Sequence, residues 1–279
     1  MKEILELTSN EVIKTQLFRL NNVDDKYKFD KLINEDKNIR VFDQIENQLR
    51  ELIKCSSPSI RIRPEEYTDL IKTHLNGTEI FNYGVWVYYP WSNNLVHILD
   101  ENEFIKLRTN RNCNKITFQE QSILSQKKIG IIGLSVGQSI ALTMAMERTC
   151  GEIRLADFDT AELSNLNRLR TGLHNLGILK TVIAAREIAE IDPFIIVKIF
   201  NDGLTTQNMD SFFLEDGKLD ILVEVCDGLD IKIASRLKAR KLQIAVVMDT
   251  NDRGMLDVER FDLEPKRPIF HGLIDDYLD

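Results

Sequence analysis

The chain has 279 residues, 43% of them apolar and 29% charged, the balance of a globular protein and not of a disordered or fibrous one. At about 150 residues per domain, that length suggests two domains. With 36 Lys and Arg against 44 Asp and Glu the net charge is −8, which argues against nucleic acid as a partner, since such binders need a basic face.

In chain order, Phe42, Ile45, Leu49, Leu52 and Ile53 recur at helical spacing, and Ser56-Ser57-Pro58 ends that helix. Residues 65–75 suit a second short helix, with Pro64 just before its start. Residues 84–90 and 94–99 read as two strands around the turn Trp91-Ser92-Asn93, with Trp86, Tyr88 and Tyr89 as hairpin-core or domain-interface aromatics. Residues 1–106 are therefore expected to form a small α+β domain of unknown role.

From Lys127 onward strands and helices alternate. Strands are expected at 128–133, 152–157, 195–200, 219–225 and 244–248, and helices at 136–149, 179–191 and 229–241. Apolar strands separated by helices of this length predict an α/β domain over residues 107–279, a mostly parallel sheet with helices on both faces.

Cys55, Cys113, Cys150 and Cys226 lie far apart, with no Cys-x-x-Cys pair. That argues against a disulfide scaffold and an intrinsic zinc site, and it suits a reducing cytosol. The N-terminal residues lack the apolar core of a signal peptide, and no apolar run approaches the ~18 residues that cross a bilayer. The expectation is a soluble cytoplasmic protein without membrane contact.

Gly133-Leu-Ser135-Val-Gly137 falls where a strand turns into a helix. Glycines there let the backbone approach a phosphate, and the helix N-terminus offers free N–H groups and a positive dipole end. Asp157 ends the next strand, 24 positions after Gly133, where a dinucleotide-binding fold puts a carboxylate on ribose hydroxyls. The nicotinamide fingerprint fails, because Ser135 and Gln138 stand where it needs glycine. Alone, the loop indicates a nucleotide, with an ordinary tight turn as the alternative.

The segment beyond Asp157 is decisive. It carries Asp159, Asn165 and Arg168, a carboxylate, an amide and a guanidinium beyond the phosphate loop. Gly177-Ile-Leu-Lys180 opens a helix with a lysine in its first turn, and Val223-Glu-Val-Cys226-Asp227-Gly228 sets a carboxylate at the end of a strand. Upstream lie Arg108-Thr-Asn-Arg111-Asn112 and Gln121. Five separated motifs in this order, over roughly residues 107–262, resemble the ubiquitin-like activating enzyme superfamily, the ThiF/MoeB adenylyltransferases. Residues 252–265, with the glycine loop, resemble a bacterial subgroup of it often fused to a nitroreductase-like domain. The departures are Ser135 and Gln138 in place of family glycines, Gly137 one place early, and the missing zinc-binding and thioester cysteines.

The resemblance implies a Rossmann-like fold, ATP and Mg²⁺ as cofactors, and adenylation of the C-terminal carboxylate of a small carrier or ubiquitin-like protein. Pyrophosphate is released as the carboxylate attacks the α-phosphorus, so negative charge must be neutralised on attacker, phosphate and leaving group. Arg168 and Lys180 suit the phosphate oxygens, and Asn165 orients phosphate or ribose without adding charge. Gly133, Ser135, Gly137, Asp157 and Asp159 are the candidate nucleotide-binding residues, and Asp227 the candidate Mg²⁺ ligand. The matching arginine in the family crosses a two-fold interface to the neighbour's ATP, which implies a homodimer with Arg111 acting in trans.

Each has a plainer alternative. Arg168 and Lys180 would be solvated surface charges, Asp227 a cap on the helix near Leu229, Asp159 a loop hydrogen-bond acceptor, and Arg111 half of an ion pair at the domain junction. Cys226 reads as a buried strand residue, not a nucleophile. For the whole chain the alternatives are a nucleotide-binding module without turnover and an NAD-dependent oxidoreductase.

Overall fold

The computed structural model describes residues 12–249 and 254–274, which form two compact units. One spans residues 14–117; the other runs from residue 118 and includes residues 12 and 13.

The first unit contains β1 (Gln16–Phe18), α1 (Val23–Glu35), β2 (Arg40–Asp43), α2 (Ile45–Ser56), α3 (Tyr67–Leu75), β3 (Val85–Tyr89), β4 (Asn94–Ile98) and α4 (Glu101–Arg108). Its sheet has the order β1-β3-β4-β2, with β2 parallel to β4. The expected hairpin forms as β3 and β4, and Trp86, Tyr88 and Tyr89 are all buried. Trp86 stacks on His97 at 4.2 Å. The helix expected from Phe42 begins instead at Ile45. Phe42 lies in β2, paired with Val96, and the Asp43 carboxylate accepts the Ile45 N–H at 3.2 Å where strand gives way to helix. No clear apolar stripe marks α1 in the sequence; the Asn22 side chain caps it by accepting the Asp24 and Asp25 N–H groups.

The second unit contains α5 (Phe118–Leu124), β5 (Lys128–Ile132), α6 (Leu134–Glu147), β6 (Glu152–Ala156), α7 (Lys180–Ile191), β7 (Ile196–Phe200), α8 (Met209–Leu214), β8 (Ile221–Glu224), α9 (Leu229–Leu242), β9 (Ala245–Asp249) and β10 (Leu256–Glu259). The sheet order is β10-β9-β8-β5-β6-β7, parallel throughout except for β10, which pairs antiparallel with β9. Apolar side chains pack on both faces. Ile129, Ile131, Leu155 and Val223 meet Ala141, Ala184 and Ile188 of α6 and α7 on one side. Ile132, Leu222 and Val246 meet Phe212, Phe213 and Ala239 of α8 and α9 on the other. Each such aliphatic side chain contributes about 1.5–3 kcal/mol when fully buried, so these two layers are the main stabilising term.

Arg154 of β6 is wholly buried yet satisfied. Its guanidinium pairs with Glu152 at 2.7 Å and donates to the Phe212 and Gly217 carbonyls at 2.8 Å each, which ties α8 to the sheet.

The fold is therefore α/β and Rossmann-like, with a mostly parallel sheet covered on both faces. Its chain order reverses beside β5. From β5 the chain moves outward to β6 and β7, then returns on the other side as β8. Ligands of open parallel sheets bind in the crevice at such a reversal, beyond the C-terminal strand ends. No helix among the described residues is long and apolar enough to cross a membrane.

Candidate functional site

Gly133 follows β5 and caps α6 with φ +87°. A Cβ there would stand 2.7 Å from the Val225 carbonyl oxygen, so both torsion and clearance call for glycine. The Asp157 carboxylate fastens the loop. Its Oδ2 accepts the Leu134 N–H at 2.6 Å and its Oδ1 the Asp159 N–H at 2.8 Å. Burial raises the Asp157 pKa above its ordinary value, against the lowering effect of those two N–H groups.

Lys180 starts α7 and is buried. Its Nζ donates to Asp159 Oδ2 at 2.7 Å and to Ser135 Oγ at 3.2 Å, so three widely separated motifs converge at the mouth of the glycine loop. Across the crevice, the backbone leaving β8 carries Cys226 and Asp227. Between the two sides lies a cavity of about 380 Å³, lined by Gly133, Ser135, Asp157, Asp159, Arg168 and Asp227 among others. Small-molecule sites usually enclose about 300–1,000 Å³.

Arg168 is exposed on the cavity wall, where its Nη1 donates to the Asn167 amide oxygen at 2.9 Å. Among the described residues it has no carboxylate partner. Asp227 is exposed too, and the described residues offer it no cation. Phe158, Leu204, Ile231 and Asp230 also line the cavity. None of the four is a candidate by sequence motif, although Asp230 stands only three residues beyond Asp227.

Other candidates lie elsewhere. Gly137 is buried in α6, where a Cβ would meet Ile131 Cγ2 at 2.7 Å, so it brings helix and strand together and does not line the cavity. Asn165 is buried and spends its Oδ1 on the Glu162 N–H at 3.1 Å, shaping the turn before Arg168. Arg111 is exposed in the first unit, in the turn Asn110–Asn114. Gln121 donates to the Arg148 carbonyl at 2.8 Å, behind the end of α6. Among the described residues no group of three or more His, Cys, Asp or Glu is placed to hold a metal.

Cys226 has its Sγ 3.2 Å from Glu224 Oε1, and burial with that neighbouring carboxylate pushes its pKa up to about 12. At neutral pH it is a thiol and a poor nucleophile. Mass spectrometry under non-reducing conditions is expected to find no thioester on this cysteine after turnover. A thiol- and hydroxylamine-labile adduct of the substrate, lost in Cys226→Ser, would contradict this. Glu224 is itself wholly buried, held by Lys232 at 2.8 Å and Arg236 at 2.7 Å, and it accepts the Cys226 N–H at 3.0 Å. This network fixes the turn that presents Asp227.

Gln138 is wholly buried and bonded on both ends of its amide. Its Oε1 accepts the Arg170 N–H at 2.8 Å, and its Nε2 donates to the Arg170 carbonyl at 3.0 Å and to Glu187 Oε2 at 2.5 Å. Burial raises the Glu187 pKa to about 7, with Thr171 and Gln138 hydrogen bonds opposing the shift.

The family model for the ThiF family matches residues 108–253, more than half of the sequence. The chain belongs to the ThiF family. Its matched stretch runs through β5 to β9 and so contains the cavity's glycine loop, the Arg168 segment and the Asp227 turn.

This ThiF-family chain is 49% identical over 191 residues to "Uncharacterized protein MT1398" of Mycobacterium tuberculosis, covering 68% of this chain and 26% of that protein. It is 23% identical over 145 residues to ubiquitin-like modifier-activating enzyme 5 of Caenorhabditis elegans, covering 49% of this chain and 34% of the enzyme. Among solved structures, the E. coli tRNA N6-threonylcarbamoyladenosine dehydratase TcdA matches with a TM-score of 0.48 and 22% identity, over 51% of this chain and 59% of that one. The chain thus spans about a quarter of the mycobacterial relative and a third of the nematode enzyme.

Proposed function

We propose that this ThiF-family chain binds ATP in the cavity at the β5–β8 reversal and adenylates a carboxylate with release of pyrophosphate. The observation that carries the reading is the convergence of Ser135, Asp159 and Lys180 at the glycine loop, with Arg168 and Asp227 on the walls of the same cavity. Arg168 on the cavity wall, the Lys180 ammonium bonded to the lining residues Ser135 and Asp159, and a carboxylate without a cation partner suit a triphosphate with its metal better than a nicotinamide dinucleotide.

Lys180 spends two N–H groups on Asp159 and Ser135, and an ammonium has a third for a phosphate oxygen. Arg168, exposed and without a carboxylate partner, presents its guanidinium fork to the same triphosphate. The exposed Asp227 carboxylate, with Asp230 on the same wall, fits the sparse protein ligation of Mg²⁺, which keeps several waters and takes one or two carboxylates plus phosphate oxygens. When bound there, the ion would neutralise phosphate charge. Asp157 holds the loop through two N–H groups and faces the cavity, so it serves ribose through remaining lone pairs.

The reacting carboxylate oxygen bonds to the α-phosphorus as the bond to the pyrophosphate oxygen breaks. Arg168 and Lys180 stabilise charge on the transferring and leaving groups. The adenylyl acceptor is proposed to be the C-terminal carboxylate of a peptide or of a small carrier or ubiquitin-like protein. The enzyme is proposed to be a cytoplasmic homodimer, and the resemblance over residues 252–265 supports a setting beside a nitroreductase-like domain. Exchange of radiolabelled pyrophosphate into ATP tests the reaction. Exchange is expected with candidate peptides bearing a free C-terminal carboxylate and not with their C-terminal amides. Equal exchange with both, or NAD reduction without exchange, would overturn the reading.

A further inference from the structure

We propose that Gln138 is a positioning residue for Arg168, acting with Glu187 as a clamp on the backbone two residues further along. This rests on the assignment of Arg168 to the phosphates of ATP.

Position 138 breaks the glycine pattern of the phosphate loop, and the structure shows what the side chain does there. Arg168 reaches the cavity from the crossover between β6 and α7, a stretch of irregular backbone. Such a stretch holds a guanidinium steady only if its backbone is tied on both sides. On the N-terminal side Asn165 does this: its carbonyl accepts the Arg168 N–H at 3.0 Å and the Leu169 N–H at 2.8 Å. Leu169 is then buried against Ala161, Ile178, Val182 and Ile183.

On the C-terminal side the tie is Gln138. Its amide bonds both the N–H and the C=O of Arg170, as a neighbouring strand would, so Arg170 can neither rotate nor slide without breaking two bonds. Glu187 of α7 fixes the amide's orientation by accepting its second N–H, and Thr171 bonds the same carboxylate. Gln138 belongs to the first turns of the phosphate-loop helix. The clamp therefore couples the helix whose N-terminus faces the nucleotide to the segment that carries Arg168. A glycine at 138 has no side chain to make any of these bonds.

The test is a double-substitution cycle read by calorimetric titration of Mg-ATP into the full chain, with adenosine as the phosphate-free control. Arg168→Ala is expected to weaken Mg-ATP on the order of 10-fold, the size of a charge-assisted hydrogen bond. Gln138→Ala is expected to weaken it about 3- to 10-fold in the native background and not at all beside Arg168→Ala, the non-additivity of residues acting through one contact. Adenosine binding should be unchanged in both. Should Gln138→Ala fail to fold, Glu187 gives a second route. Glu187→Gln keeps an acceptor for the Gln138 N–H and is expected to bind Mg-ATP as the native chain does, whereas Glu187→Ala should reproduce the loss. A Gln138→Ala loss that persists beside Arg168→Ala, or an equal loss for adenosine, overturns the clamp alone. If Arg168→Ala itself leaves Mg-ATP binding intact, the phosphate assignment falls first and the clamp with it.

Discussion

Replacing Asp227 or Arg168 by alanine is expected to lower adenylation by on the order of 10²-fold or more, as when a group that stabilises developing charge is removed. Both side chains are exposed on the cavity wall, and neither forms an ion pair among the described residues. Their loss removes no core packing and leaves no buried partner behind, so thermal melting should stay close to that of the native chain. Arg168 is the steeper case, since its planar fork can bond two phosphate oxygens at once. A steady-state assay of pyrophosphate release checks both. Near-native rates in the two variants would refute the roles given to them.

The second large effect concerns assembly. Arg111 sits in the Arg108-Thr-Asn-Arg111 segment, in the exposed turn Asn110–Asn114. In the resembling family the matching arginine serves the neighbouring protomer's nucleotide. If it does so here, each site needs two chains, and Arg111→Ala and Asp227→Ala should each be inactive alone. Mixing the two so that chains exchange should restore activity, because one site in each heterodimer then holds both intact groups. A monomer in sedimentation, or no recovery despite demonstrated exchange, would contradict the arrangement in trans.

The second unit is legible because parallel strands buried on both faces are largely apolar. β5 and β8 stand out as short apolar runs between helices of ordinary length, whereas β6 shows Ile153, Leu155 and Ala156 alternating with the charged Glu152 and Arg154. In the first unit the signal is thinner. β2 is exposed along its whole length, and α1 buries only Phe29, so neither alternation nor a clear apolar stripe marks them. The spacing of Phe42 from Ile45 and Leu49 fits a helical pattern, although the Asp43 carboxylate separates strand from helix.

For the site, residues at strand ends were readable from position alone. Gly133, Asp157 and Asp227 come after β5, β6 and β8, and the topology brings those three ends together. Residues that act through a neighbour were not. Gly137 reads as a phosphate-loop glycine in one dimension, whereas its missing Cβ is needed against Ile131. Gln138 reads as a lost glycine, because its partners Arg170 and Glu187 lie 32 and 49 positions away. Lys180 stands out in the sequence as a first-turn lysine for phosphate, but its burial and its pairing with Asp159, 21 positions away, come only from the fold.

Calorimetric titration of the native chain with Mg-ATP and, separately, with NAD tests the central claim most directly. Saturable binding of Mg-ATP with none of NAD is expected, because Ser135 and Gln138 break the pyrophosphate fingerprint while Lys180, Arg168 and Asp227 suit a metal-bound triphosphate. Tight binding of NAD with no binding of Mg-ATP would contradict it.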